Sequence, residues 1–166
     1  MIAVFGWIEG TALSVWVRES TSVLAFPAIL SAHAIGMGLA AGFNAILALR
    51  LLGAAESVPL GELRRFVPVM WFGFWLNAVS GILLLVAYPT KALTNPLFYL
   101  KLSLIGLGMG LFLILKRRVF EQALSRFESA APPRHLALVS LVCWAGAIIS
   151  GRLLAYTYTR LMADWL

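Results

Sequence analysis

Apolar residues along this chain form four long runs that are separated by short polar connections. The runs cover about 23–52, 66–88, 97–115 and 136–158. Each is long enough to cross the hydrocarbon core of a bilayer, which takes roughly 20 apolar residues in a helix. Prolines stand near the first turns of the runs or just before them, where a helix tolerates them. The pattern predicts an all-α integral membrane four-helix bundle.

A shorter segment, about 3–19, precedes the first run. It is too short and too interrupted by polar residues to span a membrane. Phe5, Ile8 and Val15 fall on one face of a helix, whereas Ser14 and Arg18 fall on another. This pattern predicts an amphipathic helix that lies in the outer membrane interface, with an irregular arm as the alternative.

Composition agrees with a membrane protein. Apolar residues make up 61% of the chain and charged residues 12%, and the mean hydropathy is +0.92, which excludes a water-soluble protein. A length of 166 residues predicts a single transmembrane domain. The net charge of +6 does not indicate nucleic-acid binding, because the basic residues cluster at the ends of the runs, where contact with membrane lipid and the topology account for them.

The distribution of basic residues predicts the orientation. Of the 13 Lys and Arg residues, eight flank the first and third connections: Arg50, Arg64, Arg65, Lys116, Arg117, Arg118, Arg126 and Arg134. Connections rich in Lys and Arg stay in the cytoplasm. We therefore expect a multi-pass protein of the bacterial inner membrane with both termini outside.

Three basic or imidazole side chains, His33, Lys101 and Arg152, lie inside the apolar runs, and no Asp or Glu accompanies them there. Such groups are costly in hydrocarbon, face the protein interior and mark functional sites. Helical rise places all three in the outer half of the bundle, level with Asn77. Tyr156 lies one turn beyond Arg152. We expect one site, whose missing anionic partner is a ligand.

Haem b satisfies all three residue types, because it carries two propionates and an iron that favours imidazole. The sequence thus predicts a haem- or tetrapyrrole-binding redox protein that exchanges electrons with a quinone or a partner protein. His33 is the only histidine within a run, so the iron would be five-coordinate, take a methionine or Lys101 as second ligand, or lie at a homodimer interface. The alternatives are a structural His33, hydrogen-bonded across helices, and a Lys101 that extends to the membrane surface.

Copper is a competing metal. His33 and Met37 are four residues apart and face one way on a helix, and Met109 or Cys143 would add a soft ligand for Cu(I). The pattern therefore leaves a copper-handling protein as a third hypothesis.

The sequence also allows a function without chemistry, in which the helices bind other proteins. Small residues recur at four-residue spacing in Gly38–Gly42, in Gly106–Gly110 and in Ala147–Gly151–Ala155, and such spacing permits close helix approach. These stripes favour a non-catalytic accessory subunit of a larger respiratory or photosynthetic complex.

Six short segments are distributed over nearly the whole chain: Val17-Arg18-Glu19-Ser20, Ala25-Phe26-Pro27, His33-Ala34-Ile35-Gly36, Leu49-Arg50-Leu51-Leu52-Gly53, Trp75-Leu76-Asn77-x-x-Ser80-Gly81 and Phe98-Tyr99-Leu100-Lys101. In these segments the chain resembles an uncharacterised family of small four-helix bacterial inner-membrane proteins.

More distantly, the histidine of the first run, with Asn95-Pro96 and Leu100-Lys101-Leu102 at the start of the third, is similar to the HemJ-type protoporphyrinogen oxidases and, more loosely, to the CopD copper-resistance membrane proteins. That resemblance implies His33 as a haem ligand and Lys101 as a neighbouring functional residue. Asn77 and Arg152 have no counterpart in the similarity.

The orientation can be tested by labelling. In a Cys143→Ser background, we expect a membrane-impermeant maleimide to label Thr94→Cys in intact cells, because the second connection faces outward. Ser129→Cys in the third connection should be labelled only after the membrane is permeabilised. The reverse result would invert the topology.

Overall fold

The computed structural model describes residues 2–54, 57–121 and 133–163, and for residues 2, 3, 121 and 158–163 it describes the backbone alone. Throughout these ranges the regular elements are helices. Four of them are long and apolar enough to cross a membrane. The prediction of an all-α helical membrane bundle is confirmed, and the chain is a multi-pass membrane protein.

The helices follow one another in a simple order. Their bounds are α1 Ile2–Glu9, α2 Ala12–Glu19, α3 Phe26–Leu52, α4 Leu60–Arg65, α5 Val67–Ala87, α6 Pro89–Leu93, α7 Pro96–Lys116 and α8 Arg134–Ala163. A five-residue π-helical segment, Arg117–Glu121, continues α7. The spanning helices are α3, α5, α7 and α8, and they match the four apolar runs to within a few residues.

Local sequence accounts for the helix ends. Pro27 lies in the first turn of α3, and Gly53 ends that helix with a φ of 91°, a left-handed conformation that glycine adopts without steric cost. Pro96 begins α7, and the side chain of Asn95 accepts a hydrogen bond from the Leu97 amide at 3.0 Å. That Asn95 side chain also donates to Thr157 Oγ1 of α8 at 2.9 Å, so α7 begins where α8 approaches its end.

The spanning helices form an uneven bundle. Helix α3 packs along both α5 and α8, and α7 packs along α8. Helices α5 and α7 contact each other less, and the rings of Trp71 and Phe112 meet between them with centroids 6.4 Å apart. Phe43 of α3 completes this aromatic group, 6.0 Å from Phe112. The main buried cluster includes residues of all four spanning helices and lies between the level of His33 and α4.

Two glycines bring α3 and α5 into backbone contact. A Cβ atom on Gly36 would lie 2.5 Å from the amide nitrogen of Asn77 and 2.7 Å from the carbonyl oxygen of Gly73. A Cβ atom on Gly73 would lie 2.5 Å from the Leu39 Cβ. Lipid tails are as apolar as the side chains, so helices in a membrane associate through such close packing. The crossing at Gly36 and Gly73 accordingly sets the position of α3 on α5.

The stripes that the sequence singles out have different environments. A Cβ atom at any of the four glycines in the first two stripes would meet open space: Gly38, Gly42, Gly106 and Gly110. In the third stripe Ala147 is fully buried and Gly151 lies against Lys101. Among the described residues, the third stripe thus packs within the chain, whereas the glycines of the first two do not.

The N-terminal segment forms two helices where the sequence predicts one, with a break at Gly10 and Thr11. Helix α2 packs on the end of α5 and buries Val17 completely. Arg18 donates to the Ala87 carbonyl oxygen at 3.0 Å. The last carbonyls of a helix have no partner within the helix, so this guanidinium supplies a donor that α5 lacks. The segment is therefore attached to the bundle through α5.

We predict that Gly36→Ala lowers the free energy of unfolding by about 1–3 kcal/mol, because the methyl group would overlap the α5 backbone. Gly38→Ala, two residues along the same helix, should leave stability unchanged or slightly raised, because its Cβ meets no other atom within 4 Å. Unfolding in a detergent–denaturant titration measures both. Equal effects of the two substitutions would contradict the crossing.

Candidate functional site

The imidazole of His33 joins α3 to α5. Its Nδ1 atom lies 3.0 Å from the backbone carbonyl oxygen of Asn77 and 3.2 Å from Ser80 Oγ. The Ser80 hydroxyl donates its own proton to the Leu76 carbonyl oxygen at 2.6 Å. Both oxygens near Nδ1 are therefore acceptors, and Nδ1 carries a proton that it donates to them. In the neutral ring this leaves Nε2 with a free lone pair.

The side chain of Asn77 adds a second hydrogen bond between α5 and α3. Its side-chain amide donates to the backbone carbonyl oxygen of His33 at 2.8 Å. The backbone of Asn77 thus contacts the side chain of His33, and the side chain of Asn77 contacts the backbone of His33. The imidazole therefore cannot turn without breaking a contact between α3 and α5. Ser80 is 4% exposed, which shields this part of the site.

Lys101 of α7 lies at the other nitrogen of the ring. Its Nζ is 3.1 Å from His33 Nε2. Because Nε2 has a lone pair, the ammonium donates to it, and the pair carries one positive charge. No carboxylate of the described residues forms an ion pair with Lys101. The charge of this pair therefore lacks a counterion from the described part of the chain.

Two glycines make room for these side chains. A Cβ atom on Gly81 of α5 would lie 3.1 Å from His33 Cε1, so the imidazole lies close against the α5 backbone. A Cβ atom on Gly151 of α8 would lie 3.4 Å from the Cδ and Cε atoms of Lys101. All four spanning helices thus contribute to the site: α3, α5 and α7 supply side chains, and the glycines of α5 and α8 leave space for them.

Arg152 and Tyr156 lie elsewhere on α8. Both are exposed, and the guanidinium carbon of Arg152 is 5.7 Å from the centroid of the Tyr156 ring. Successive residues of a helix point about 100° apart, so Gly151 faces Lys101 while Arg152 faces outward. The structure therefore brings together His33, Asn77 and Lys101 but not Arg152 or Tyr156.

The two glutamates of the N-terminal segment also have other partners. Glu9 accepts a hydrogen bond from the Thr90 amide at 3.3 Å, and Glu19 lies 3.9 Å from Arg18. Neither carboxylate is paired with the cations of the spanning helices.

The proposed copper ligands are buried to different degrees. Met37 is half-buried against the apolar core, Met109 is 8% exposed and Cys143 is 3% exposed. Within the described ranges, no three His, Cys, Asp or Glu side chains group closely enough to hold a metal ion.

The sequence assigns Asn77 to the site but not Ser80, Gly81 or Gly151. The shared stripe of Asn77, Ser80 and Gly81 is visible in the sequence, but the acceptor for His33 Nδ1 is a backbone carbonyl, which no residue pattern reveals. The sequence indicates only a packing role for Gly151, whereas the structure places it against Lys101.

Comparisons with known proteins returned nothing. No protein-family model matches the chain, and neither the curated proteins nor the solved structures contain a significant match. The resemblances noted from the sequence remain predictions.

The contact between His33 and Lys101 can be measured by a double-mutant cycle. We expect His33→Ala and Lys101→Met to be non-additive in unfolding free energy by about 0.5–2 kcal/mol, because each leaves the other without its hydrogen-bond partner. The matched cycle of His33→Ala with Arg152→Met should be additive within about 0.5 kcal/mol. Additivity in the first cycle, or coupling in the second, would contradict this geometry.

Proposed function

We propose that this chain binds haem b through His33 Nε2 in one half of the bundle and exchanges electrons with a quinone or a partner protein. The observation that carries the proposal is the hydrogen bond from Nδ1 to the Asn77 carbonyl oxygen. Histidines that ligate a metal almost always donate their other ring proton to a carbonyl or carboxylate, which fixes the tautomer and the ring orientation. His33 is held in that way.

Two features of the surrounding residues support the proposal. The neutral Nε2 is the donor that haem iron takes from histidine. Gly81 has no side chain that would crowd the imidazole, since a Cβ atom there would lie 3.1 Å from His33 Cε1. Lys101 donates to Nε2 at 3.1 Å, so the ammonium must leave this nitrogen before a metal can bind there. A long lysine side chain can make that change, and its charge would then pair with a propionate.

Each residue of the site has a defined task in this proposal. Asn77 and Ser80 hold the imidazole, and Lys101 supplies the cation that an anionic cofactor needs. His33, Asn77 and Lys101 are each half-buried. Haem, when bound, supplies a one-electron redox couple, whose potential depends on the axial ligand and on the polarity around it.

The location belongs to the same proposal. The excess of Lys and Arg in the first and third connections supports an inner-membrane protein with both termini outside, which puts His33 in the outer half of the membrane. Of the residues behind that excess, Arg126 lies outside the described ranges.

A second candidate function rests on a separate observation. The glycines of two stripes, in α3 and in α7, face open space and are free to receive helices of other proteins. This favours an accessory subunit of a larger membrane complex, in which His33 and Lys101 only tie the helices together.

Absorption spectra decide between these functions. We expect the protein purified in mild detergent to show a Soret band that shifts on reduction with dithionite, and His33→Ala to lower the haem content per polypeptide by about tenfold or more, because the iron loses its ligand. His135→Ala is the matched control, because His135 is exposed at the start of α8, and it should keep the wild-type spectrum.

Wild-type protein without a Soret band, purified under conditions that preserve haem, would contradict the haem proposal. Elemental analysis of the same preparation then separates the remaining hypotheses. Stoichiometric copper that is lost in His33→Ala would favour copper handling, and a metal-free protein would favour the accessory subunit.

A further inference from the structure

A second cationic site lies at the end of the bundle away from His33. A cavity of about 270 Å³ opens there, lined by Arg64, Val67, Pro68, Lys116 and Phe120. Its volume is close to the lower end of small-molecule sites, about 300 Å³. Helix α4 contributes Arg64, the first turn of α5 contributes Val67 and Pro68, and the other two residues come from the end of α7 and its π-helical continuation.

The cavity lies at a membrane boundary. Val67 is the first residue of one spanning helix, and another span runs from Pro96 to Phe120. Both apolar segments therefore end at the walls of the cavity, which places it at the level of the lipid head groups. A ligand that enters the cavity from the bilayer would have its polar part at this depth and its apolar part in the membrane interior.

The lining combines a guanidinium, an ammonium and an apolar wall. Glu62, the acidic residue on the same short helix as Arg64, pairs with Arg65 at 3.2 Å. Arg64 is exposed, Lys116 is half-buried, and Phe120 is 5% exposed. Guanidinium and ammonium groups are the usual partners of phosphate, and the guanidinium binds it through two parallel hydrogen bonds.

We propose that this cavity binds the phosphate group of an anionic phospholipid, held by Arg64 and Lys116. The apolar wall and the position at the membrane boundary favour a lipid phosphate over a free one. Exposed apolar side chains lead from the cavity towards the membrane interior, at Phe66 just before α5 and at Val69 and Phe72 within it, and offer a surface for the acyl chains. Basic pockets between spanning helices are a recognised form of lipid head-group site. The proposal is independent of haem.

Native mass spectrometry of the whole protein in detergent tests this site. We expect titrated phosphatidylglycerol to bind about tenfold or more tightly than phosphatidylcholine, and inorganic phosphate to compete poorly. The double variant Arg64→Gln with Lys116→Gln should lose about tenfold or more in phosphatidylglycerol affinity, since each basic group near the membrane surface contributes.

The control removes the same charge next to the cavity. Arg117 and Arg118 are exposed, follow Lys116 directly and do not line the cavity. Arg117→Gln with Arg118→Gln should change the affinity by less than about threefold, because only the unspecific attraction of charge falls. The charge-preserving variant Lys116→Arg should retain binding and shows whether the cavity tolerates substitution.

Four results would overturn the proposal. Equal losses in the two double variants would indicate unspecific attraction, and equal affinity for both lipids would remove the preference for an anionic head group. Competition by inorganic phosphate at the concentration at which phosphatidylglycerol binds would identify a free-phosphate site. A loss in Lys116→Arg as large as in the double glutamine variant would show that charge does not hold the ligand.

Discussion

The close approach of α3 and α5 at Gly36 and Gly73 is the contact on which the rest of the site depends. When ordinary side chains separate two packed helices, the helix axes lie about 8–10 Å apart. Here the α3 backbone lies directly on the Asn77 amide. His33 is less than one turn from Gly36, so the same crossing brings its ring to the Asn77 carbonyl. A larger residue at either glycine would move the α3 backbone away from the Asn77 amide and, at the same time, the His33 ring away from the Asn77 carbonyl.

The His33–Lys101 pair behaves as one chemical unit. One ring nitrogen is tied to α5, so the other can only present its lone pair, and that lone pair faces a cation from α7. A single positive charge is shared by two side chains within apolar helices. A metal bound to that lone pair would displace the ammonium, which could then turn to an anion. If the proposed haem binds here, binding of its iron and binding of its anionic group would therefore be coupled.

Much of this arrangement could be predicted from the sequence, for identifiable reasons. The four spans follow from apolar length alone. The common level of His33, Asn77 and Lys101 follows from helical rise, and the structure brings the three together. Arg152 shares that level but points outward, because depth depends on the number of residues from a helix end whereas facing depends on how helices are rotated against each other. Rotation is decided by contacts such as that of Gly36 with Gly73, which join residues far apart in the chain.

The two glycines of α3 that face open space, Gly38 and Gly42, lie on the opposite side of the helix from His33. Gly38 is five residues beyond His33, which corresponds to a turn of about 140° around the helix axis. A neighbouring protein that docks on Gly38 and Gly42 would approach without touching the imidazole or the α5 backbone behind it. A partner docked there and a ligand bound at His33 would thus use separate surfaces of a single helix, so a substitution on the glycine surface would leave the polar contacts of His33 intact.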